Sequence, residues 1–288
     1  MDPSWHEHTI SPAPLGLCKR ICLNRISATK HFCDAFITVV DIHSHILPEV
    51  DDGPKSWDVS VAMCHAAAAD GITHMVATPH ANDRYHYDRE YLAGLVKHLQ
   101  ELAGESPKIL LGCDFHLSYD NLEDAYANPK RYVIGDTRYL LVEFSTFSIP
   151  QQTSESFMKL ANYGMTPVIT HPERNPILRE DPQRVLEWAE QGCVVQVTGS
   201  ALTGFWGEHS RRVAEWLLQH QAVHVLATDA HDTVKRVPIL STARDAAAQL
   251  CGKEVADALV EANPRAIVSD QKSLPYFPPP VMKNYKKN

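Results

Sequence analysis

A chain of 288 residues is long enough for one large domain, and 35 acidic against 27 basic side chains leave no basic face for a nucleic acid. The chain has no run of about 18 apolar residues, so nothing in it is expected to span a membrane. Its seven cysteines are odd in number and none stands in a C-x-x-C pair, which argues against a disulfide framework and favours a reducing cytoplasm.

Both ends of the chain differ from its middle. Residues 1–38 have no hydrophobic period and lack the continuous apolar core of a signal peptide. They predict a disordered or loosely packed extension, or a translation start that truly lies near Val39. Residues 272–288 are rich in proline and then in lysine, which predicts an extended surface tail. Residues 39–271 between these ends form the one predicted domain.

Within that domain, short apolar runs alternate with longer segments of helical spacing. One predicted helix lies in DVSVAMCHAAAADG, which Gly71 is placed to end, and another in DPQRVLEWAEQG, where Asp181 is the expected N-cap. Strands that alternate with helices in this way predict a parallel sheet. The seven predicted strands cover residues 37–42, 73–78, 108–112, 139–144, 166–170, 193–198 and 222–228.

The residues at the strand ends favour a closed α/β barrel over a doubly wound open sheet. In a parallel barrel, functional side chains come from the C-terminal ends of many strands and face one mouth, whereas an open sheet concentrates its site at one switch point. Six of the seven predicted strands end in a histidine or a carboxylate. These residues are His43, His45, His80, Asp114, His116, Glu143, His171, Asp229 and His231. The sequence therefore predicts a seven-stranded barrel of the TIM-like kind.

Taken singly, each of these side chains has an ordinary explanation as a helix cap or a hydrogen-bonded surface group. Gathered in one mouth, five imidazoles and several carboxylates would repel each other and lose solvation together unless cations were bound. Mixed imidazole and carboxylate ligands suit zinc, manganese, iron or cobalt, and their number favours two or three ions. The sequence therefore predicts a polynuclear metal site.

Two arginines follow these residues closely: Arg174 in HPERN and Arg236 in DAHDTVKRVP. A guanidinium beside a metal site can hold two oxygens of a phosphate, so the pair favours phosphate ester hydrolysis over amide hydrolysis. Cysteine-dependent tyrosine phosphatases instead need an arginine six positions after the catalytic cysteine. None of the seven cysteines meets that spacing, and Cys113 reads as a core residue.

The chain resembles the PHP (polymerase and histidinol phosphatase) superfamily, and within it the metal-dependent tyrosine-protein phosphatases of bacterial capsule and exopolysaccharide biosynthesis. The resemblance covers residues 39–271 and is carried by DIHSHILPEVDDGPKSWD, GITHMVATPH, YLLVEFS, GMTPVITHPERN, HVLATDAHD and NPRAIVSDQ. It implies a distorted seven-stranded barrel and three divalent ions per chain, drawn from Mn, Co, Zn or Fe. It further implies a cytoplasmic enzyme whose partner is a phosphotyrosine protein, the C-terminal tail of a bacterial tyrosine kinase.

Carried over position by position, the resemblance assigns nine ligands. The first ion would take His43, His45, Asp114 and Asp229, the second Asp114, Glu143 and His171, and the third Asp52, His80 and His231. Asp114, the bridging ligand, stands where better-known members have the longer Glu. A water between two ions would supply hydroxide to attack phosphorus, while Arg174 and Arg236 offset charge on the phosphoryl oxygens. Asp114 and the two arginines are thus the implied catalytic residues.

Three other functions stay open on the sequence. A small-molecule phosphatase of the histidinol-phosphate type would share the fold and the ligands, although DDGPKSWD and HPERN resemble the tyrosine phosphatase branch. An amidohydrolase often carries a bridging lysine after its fourth strand, where this chain has Glu143. A non-catalytic metal-binding regulatory module would be expected to have lost several ligands.

Overall fold

The computed structural model describes residues 38–282, in which nine parallel strands alternate with helices. The strands are β1 (Val39–Ser44), β2 (Ile72–Ala77), β3 (His80–Ala81), β4 (Lys108–Leu111), β5 (Asp114–His116), β6 (Tyr139–Glu143), β7 (Thr166–Thr170), β8 (Val194–Thr198) and β9 (Val225–Ala227). The predictions for residues 1–38 and for the end of the 272–288 tail fall largely on residues outside this range.

Helices follow most of the strands and cover the sheets. They are α1 (Trp57–Ala69), α2 (Arg89–Ala103), α3 (Tyr119–Ala127), α4 (Thr153–Asn162), α5 (Pro176–Glu180), α6 (Gln183–Glu190), α7 (Gly199–Leu202), α8 (Gly207–Gln219), α9 (Ser241–Cys251), α10 (Lys253–Asp257) and α11 (Asn263–Val268). A π-helical segment, Ala258–Ala262, joins the last two. Between residues 38 and 282, no helix is long and apolar enough to cross a membrane.

The strands pair in two parallel sheets, with the orders β1-β2-β4 and β3-β5-β6-β7-β8-β9. This confirms the predicted α/β class with parallel pairing, and each of the seven predicted strands is present within a few residues of its expected bounds. The short strands β3 and β5 were not predicted. They continue β2 and β4 after a break, so the described strands form two ladders where one continuous closed sheet of seven strands was expected.

Backbone hydrogen bonds also connect the first strand to the segment after the last one. The Asp229 N–H donates to the His43 carbonyl at 2.8 Å, and the His45 N–H donates to the Ala230 carbonyl at 2.8 Å. Ser44 and Ala230 form a parallel bridge at the same place. The beginning and the end of the domain are therefore adjacent at the edge where the histidines lie.

Both faces of the strands are buried, which explains why their sequences are almost continuously apolar. Leu140 and Val142 of β6 belong to a large core between the sheets and the helices. Their neighbours Tyr139 and Leu141 belong to a second core on the opposite face, which also contains Ile267 of α11. Alternate residues of one strand thus belong to two cores.

One predicted helix cap was wrong. Asp181 ends α5, and α6 begins after Pro182 with no side-chain cap. The residue before a proline is sterically disfavoured in the helical region, and Asp181 accordingly adopts φ −140° and ψ 65°. The predicted end of the first helix was correct, because α1 ends just before Gly71, which has φ +90°.

The break between β4 and β5 is set by Gly112. Its N–H donates to the Ala77 carbonyl at 2.8 Å, and a Cβ atom there would lie 2.9 Å from Val76 Cγ1. It would also lie 3.2 Å from carbon atoms of Ile134 and Thr78. All three neighbours are β-branched and stiff at χ1, so they cannot move aside cheaply.

We therefore expect Gly112→Ala to lower the free energy of unfolding by about 1–3 kcal/mol, the usual cost of overpacking. Gly94→Ala is the matched control, since Gly94 lies within α2 with no atom near its added Cβ. That change should be neutral or should stabilise the protein by roughly 0.5–1 kcal/mol. Chemical denaturation measures both. Equal stability of Gly112→Ala and wild type would show that the break tolerates a side chain.

Candidate metal centre

The structure brings together all nine residues that the family resemblance assigned as ligands. Their nitrogen and oxygen atoms form four overlapping groups, and within each group these atoms lie within 4.8 Å of one another. The groups are His45–Asp52–His80–His231, His43–Asp114–His171, His43–His45–Asp229 and His80–Asp114–Glu143. The clustering of these side chains at one edge of the sheets therefore agrees with the sequence prediction.

The first group lies nearest to solvent. Asp52 Oδ1 is 3.4 Å from His80 Nε2 and 3.3 Å from His231 Nε2. The His45 ring lies beside both imidazoles, with ring centroids 4.4 Å from His80 and 4.1 Å from His231. The resemblance had assigned His45 to a different ion. In the structure its Nε2 lies between this group and Asp229, 3.5 Å from Asp229 Oδ1.

Asp114 occupies the centre of the cluster. It is fully buried, and its Oδ2 atom is 3.2 Å from His80 Nδ1, 3.6 Å from His43 Nε2 and 4.0 Å from His171 Nε2. Among the described residues this oxygen has no hydrogen-bond partner. A buried carboxylate oxygen facing three imidazoles, without a donor of its own, is the environment that a bound cation would satisfy.

The protonation of the imidazoles also fits metal binding. Burial lowers the pKa of His45 to about 3, and burial likewise lowers the pKa values of His171 and His231. Neutral imidazoles are the form that binds a metal ion. His80 is the exception: burial opposes its charge, but the nearby Asp114 and Asp52 outweigh burial and raise its pKa to about 11. A proton on His80 there balances negative charge that a divalent cation could balance instead.

Backbone strain accompanies two of these residues. His171 and Asp229 have φ values of 34° and 51°, in the left-handed region that residues with a Cβ atom seldom adopt. His171 directly follows β7, and Asp229 lies two residues after the end of β9. Such conformations persist only when their surroundings enforce them, and they are concentrated at functional sites.

Sequence reasoning missed the groups that orient the imidazoles. Asp51 Oδ2 lies 2.6 Å from His45 Nδ1, and Gln196 Oε1 lies 3.0 Å from His43 Nδ1. Metal-binding histidines commonly donate their second ring N–H to such a partner, which fixes the ring and its tautomer. Gln196 had a signal in the sequence, because a buried amide interrupts the apolar strand β8. Asp51 was passed over because the adjacent carboxylate, Asp52, was the one assigned as a ligand.

The two arginines lie at the same edge and contact a carboxylate of the cluster. Arg236 Nη2 donates to Asp229 Oδ2 at 2.5 Å, and Arg174 Nη1 donates to the same oxygen. Burial lowers the pKa of each guanidinium to about 10, so both stay charged at neutral pH. The Nε atoms of both arginines are buried without a hydrogen-bond partner among residues 38–282. The contact with Asp229 was not foreseen from the sequence.

A cavity of about 560 Å³ opens beside the cluster. Asp52, His80 and Glu143 line it together with the aromatic side chains of Tyr85 and Phe147. A larger cavity, about 1230 Å³, lies between α2 and β4 and contains none of the nine residues. The smaller one is the relevant one here, because an imidazole and two carboxylates of the cluster line it.

Parallel strands whose ends gather neutral imidazoles, buried carboxylates and paired arginines define a class of metal-binding α/β proteins. Residues 39–269 match the family of capsular polysaccharide synthesis proteins CpsB/CapC, and the chain belongs to that family. It is 33% identical over 207 residues to the tyrosine-protein phosphatase YwqE of Bacillus subtilis, covering 69% of this chain and 79% of YwqE.

Two further comparisons extend over nearly the whole of the related proteins. The chain is 32% identical over 242 residues to the tyrosine-protein phosphatase CpsB of Streptococcus pneumoniae, covering 81% of this chain and 99% of that protein. The chain also superposes on a crystal structure from a study of YwqE of Bacillus subtilis and CpsB of Streptococcus pneumoniae, which are described there as metal-dependent tyrosine phosphatases. The TM-score is 0.75 and the sequence identity is 31%. That match covers 84% of this chain and 99% of the other.

The contact between Asp51 and His45 makes a prediction about metal affinity. Asp51→Asn should weaken binding of Mn²⁺ or Zn²⁺ by roughly 10- to 100-fold, because the amide is a poorer partner for the His45 ring. Calorimetric titration of the metal-stripped protein measures this affinity. Asp83→Asn is the control, since Asp83 is exposed and lines the same cavity. If both variants bind metal like wild type, the role of Asp51 is confined to stabilising its own loop, where its side chain accepts a hydrogen bond from the Gly53 N–H.

Proposed function

We propose that the protein is a metal-dependent protein-tyrosine phosphatase of capsule or exopolysaccharide biosynthesis. The observation that carries this proposal is the convergence of the nine-residue cluster and two buried arginines at one edge of the sheets, where Asp52, His80 and Glu143 line a cavity. Metal ligands can activate water, and paired guanidinium groups match the oxygens of a phosphoryl group. The relatives named tyrosine-protein phosphatases, which the chain covers over most of their length, support the same activity.

We further propose that the nine residues hold three divalent ions and that the two sheets together make a distorted seven-stranded barrel. Four overlapping ligand groups support more than one ion, and mixed nitrogen and oxygen donors suit Mn²⁺, Co²⁺, Zn²⁺ or Fe²⁺. The parallel bridge between Ser44 and Ala230 supports barrel closure. Because His45 lies between Asp52 and Asp229, it is the side chain most able to serve either of two neighbouring ions.

The proposed mechanism assigns separate tasks to the protein groups. Bound divalent ions would supply Lewis acidity and lower the pKa of water at the cluster. Asp114 and the imidazoles would bind the ions, while Asp51 and Gln196 orient the rings of His45 and His43. Arg174 and Arg236 bind the phosphoryl oxygens and offset their charge as it develops. A tyrosine phenolate, whose conjugate acid has a pKa of about 10, leaves with little help from a general acid.

The shape of the cavity favours an aromatic phosphate ester presented on a polypeptide. Phe147 in its lining is 92% exposed, and Tyr85 stacks on His80 with ring centroids 5.8 Å apart. An aromatic ring between these two side chains would cover apolar surface that now faces water. Arg84, beside Tyr85, adds a positive charge at the rim. We propose that the enzyme acts in the cytoplasm and that its partner is a phosphotyrosine protein, by family resemblance the C-terminal tail of a bacterial tyrosine kinase.

The function is tested by comparing substrates before and after metal removal. We expect hydrolysis of a phosphotyrosine peptide to exceed hydrolysis of phosphoserine or histidinol phosphate, and a chelator to abolish it reversibly. Iodoacetamide should have little effect, because Cys64 and Cys193 are buried and burial raises the pKa of each thiol to about 12. A preference for histidinol phosphate would favour the small-molecule phosphatase instead. Full activity without metal would reject the whole proposal.

Substituting lysine for Arg174 or Arg236 tests the phosphate-binding role. Lysine keeps the charge but loses the planar fork, which is worth on the order of 2–3 kcal/mol, so kcat/KM should fall roughly 30- to 200-fold per substitution. Elemental analysis should still find the metals. Arg211→Lys, at an exposed arginine paired with Glu215 on α8, is the matched control. Loss of metal from the Arg→Lys proteins would instead assign the arginines to holding Asp229 in place.

A further inference from the structure

The two arginines reach Asp229 of the candidate metal cluster from different loops. Arg174 follows β7 and Arg236 follows β9, while β8 lies between these strands in the sheet. The chain after β8 forms the short helix α7 and then a turn that carries Trp206 immediately before α8. The loop of the middle strand therefore supplies an aromatic ring at the place where the arginines of the two flanking strands meet.

Trp206 contacts both guanidinium groups. The Cζ atom of Arg174 lies 3.8 Å from the centre of the Trp206 ring, and the Cζ atom of Arg236 lies 5.3 Å from it. The ring itself is held in place: its Nε1 donates to Ser200 Oγ at 3.0 Å, and Phe205 packs edge-on against it at 5.1 Å. One indole ring thus lies within cation–π distance of two guanidinium groups.

Electrostatics explains why the ring is needed. The two guanidinium groups donate to a single carboxylate oxygen, Asp229 Oδ2, and they repel each other, although the carboxylates of Asp114 and Glu143 also attract both. Repulsion between the arginines favours a conformation in which one of them swings out toward water. The electron-rich face of an indole attracts both cations without neutralising them. It can therefore hold them together while leaving their charge available to a phosphoryl group.

We propose that Trp206 is a positioning residue that holds Arg174 and Arg236 side by side for binding of a phosphoryl group. This inference rests on the proposed function. Trp206 would act through the arginines, and the Ser200 hydroxyl would set the tilt of its ring. Arginine alignment would then depend on a loop that contributes none of the nine candidate metal ligands.

The test compares two variants of the metal-loaded protein. Trp206→Leu removes the π face, and we expect the inhibition constant of inorganic phosphate to rise about 10-fold and kcat/KM for a phosphotyrosine peptide to fall by about the same factor. Trp206→Phe keeps a π face and should restore both constants to within about 3-fold of wild type. Metal content, measured by elemental analysis, should be unchanged in both.

Trp216→Leu is the matched control. Trp216 is a half-buried tryptophan on α8, stacked on His220 at 4.1 Å. Its loss should lower thermal stability about as much as Trp206→Leu does, while leaving phosphate binding at the wild-type value. This separates a role in aligning the arginines from a role in packing alone.

Wild-type phosphate affinity in Trp206→Leu would overturn the inference, as would a failure of Trp206→Phe to restore it. If Trp206→Leu does not fold, Ser200→Ala provides the test. This change removes the hydrogen bond that orients the indole ring but leaves the ring itself in the protein. That variant should bind phosphate about 2- to 3-fold more weakly, and an unchanged affinity would overturn the inference. Phosphate binding by calorimetry needs no turnover, so a protein that binds phosphate through Trp206 yet cleaves no phosphotyrosine would reject only the proposed function.

Discussion

The hydrogen bonds between the first strand and the segment after the last one are the constraint on which the site depends. The Asp229 N–H reaches the His43 carbonyl, and the His45 N–H reaches the Ala230 carbonyl. These two contacts place ligands from opposite ends of the domain in register with each other. Between them, β3, β5 and β6 contribute His80, Asp114 and Glu143, and the chain just after β7 contributes His171. The geometry of the site is therefore a product of the whole domain and of no single motif.

That constraint sets a high electrostatic cost. Asp114, His43 and Asp229 are almost completely buried, and the described structure gives Asp114 Oδ2 no donor. Buried groups of this kind oppose folding unless a partner compensates them. The strained backbones of His171 and Asp229 add to the cost. The apolar cores on both faces of the strands provide the stability that lets the domain tolerate such a site.

Much of this arrangement could be predicted from the sequence, and the reason is physical. A parallel α/β domain places its functional residues where strands end, so His43, Glu143 and His231 could be selected as candidate site residues from their positions alone. Side-chain partners could not be assigned in that way. The contact of Gln196 with His43, and the shared contact of both arginines with Asp229, depend on distances across several strands that no local pattern encodes.

The breaks after β2 and β4 escaped prediction for a related reason, since Gly112 is fixed by Val76 on a neighbouring strand. They have a thermodynamic consequence. β1 belongs to one sheet while Asp114, Glu143 and His171 come from the other, so the cluster spans the seam between two ladders. Ions bound there would join the two sheets. Metal affinity and resistance of the seam to opening would then be two measures of one linked free energy.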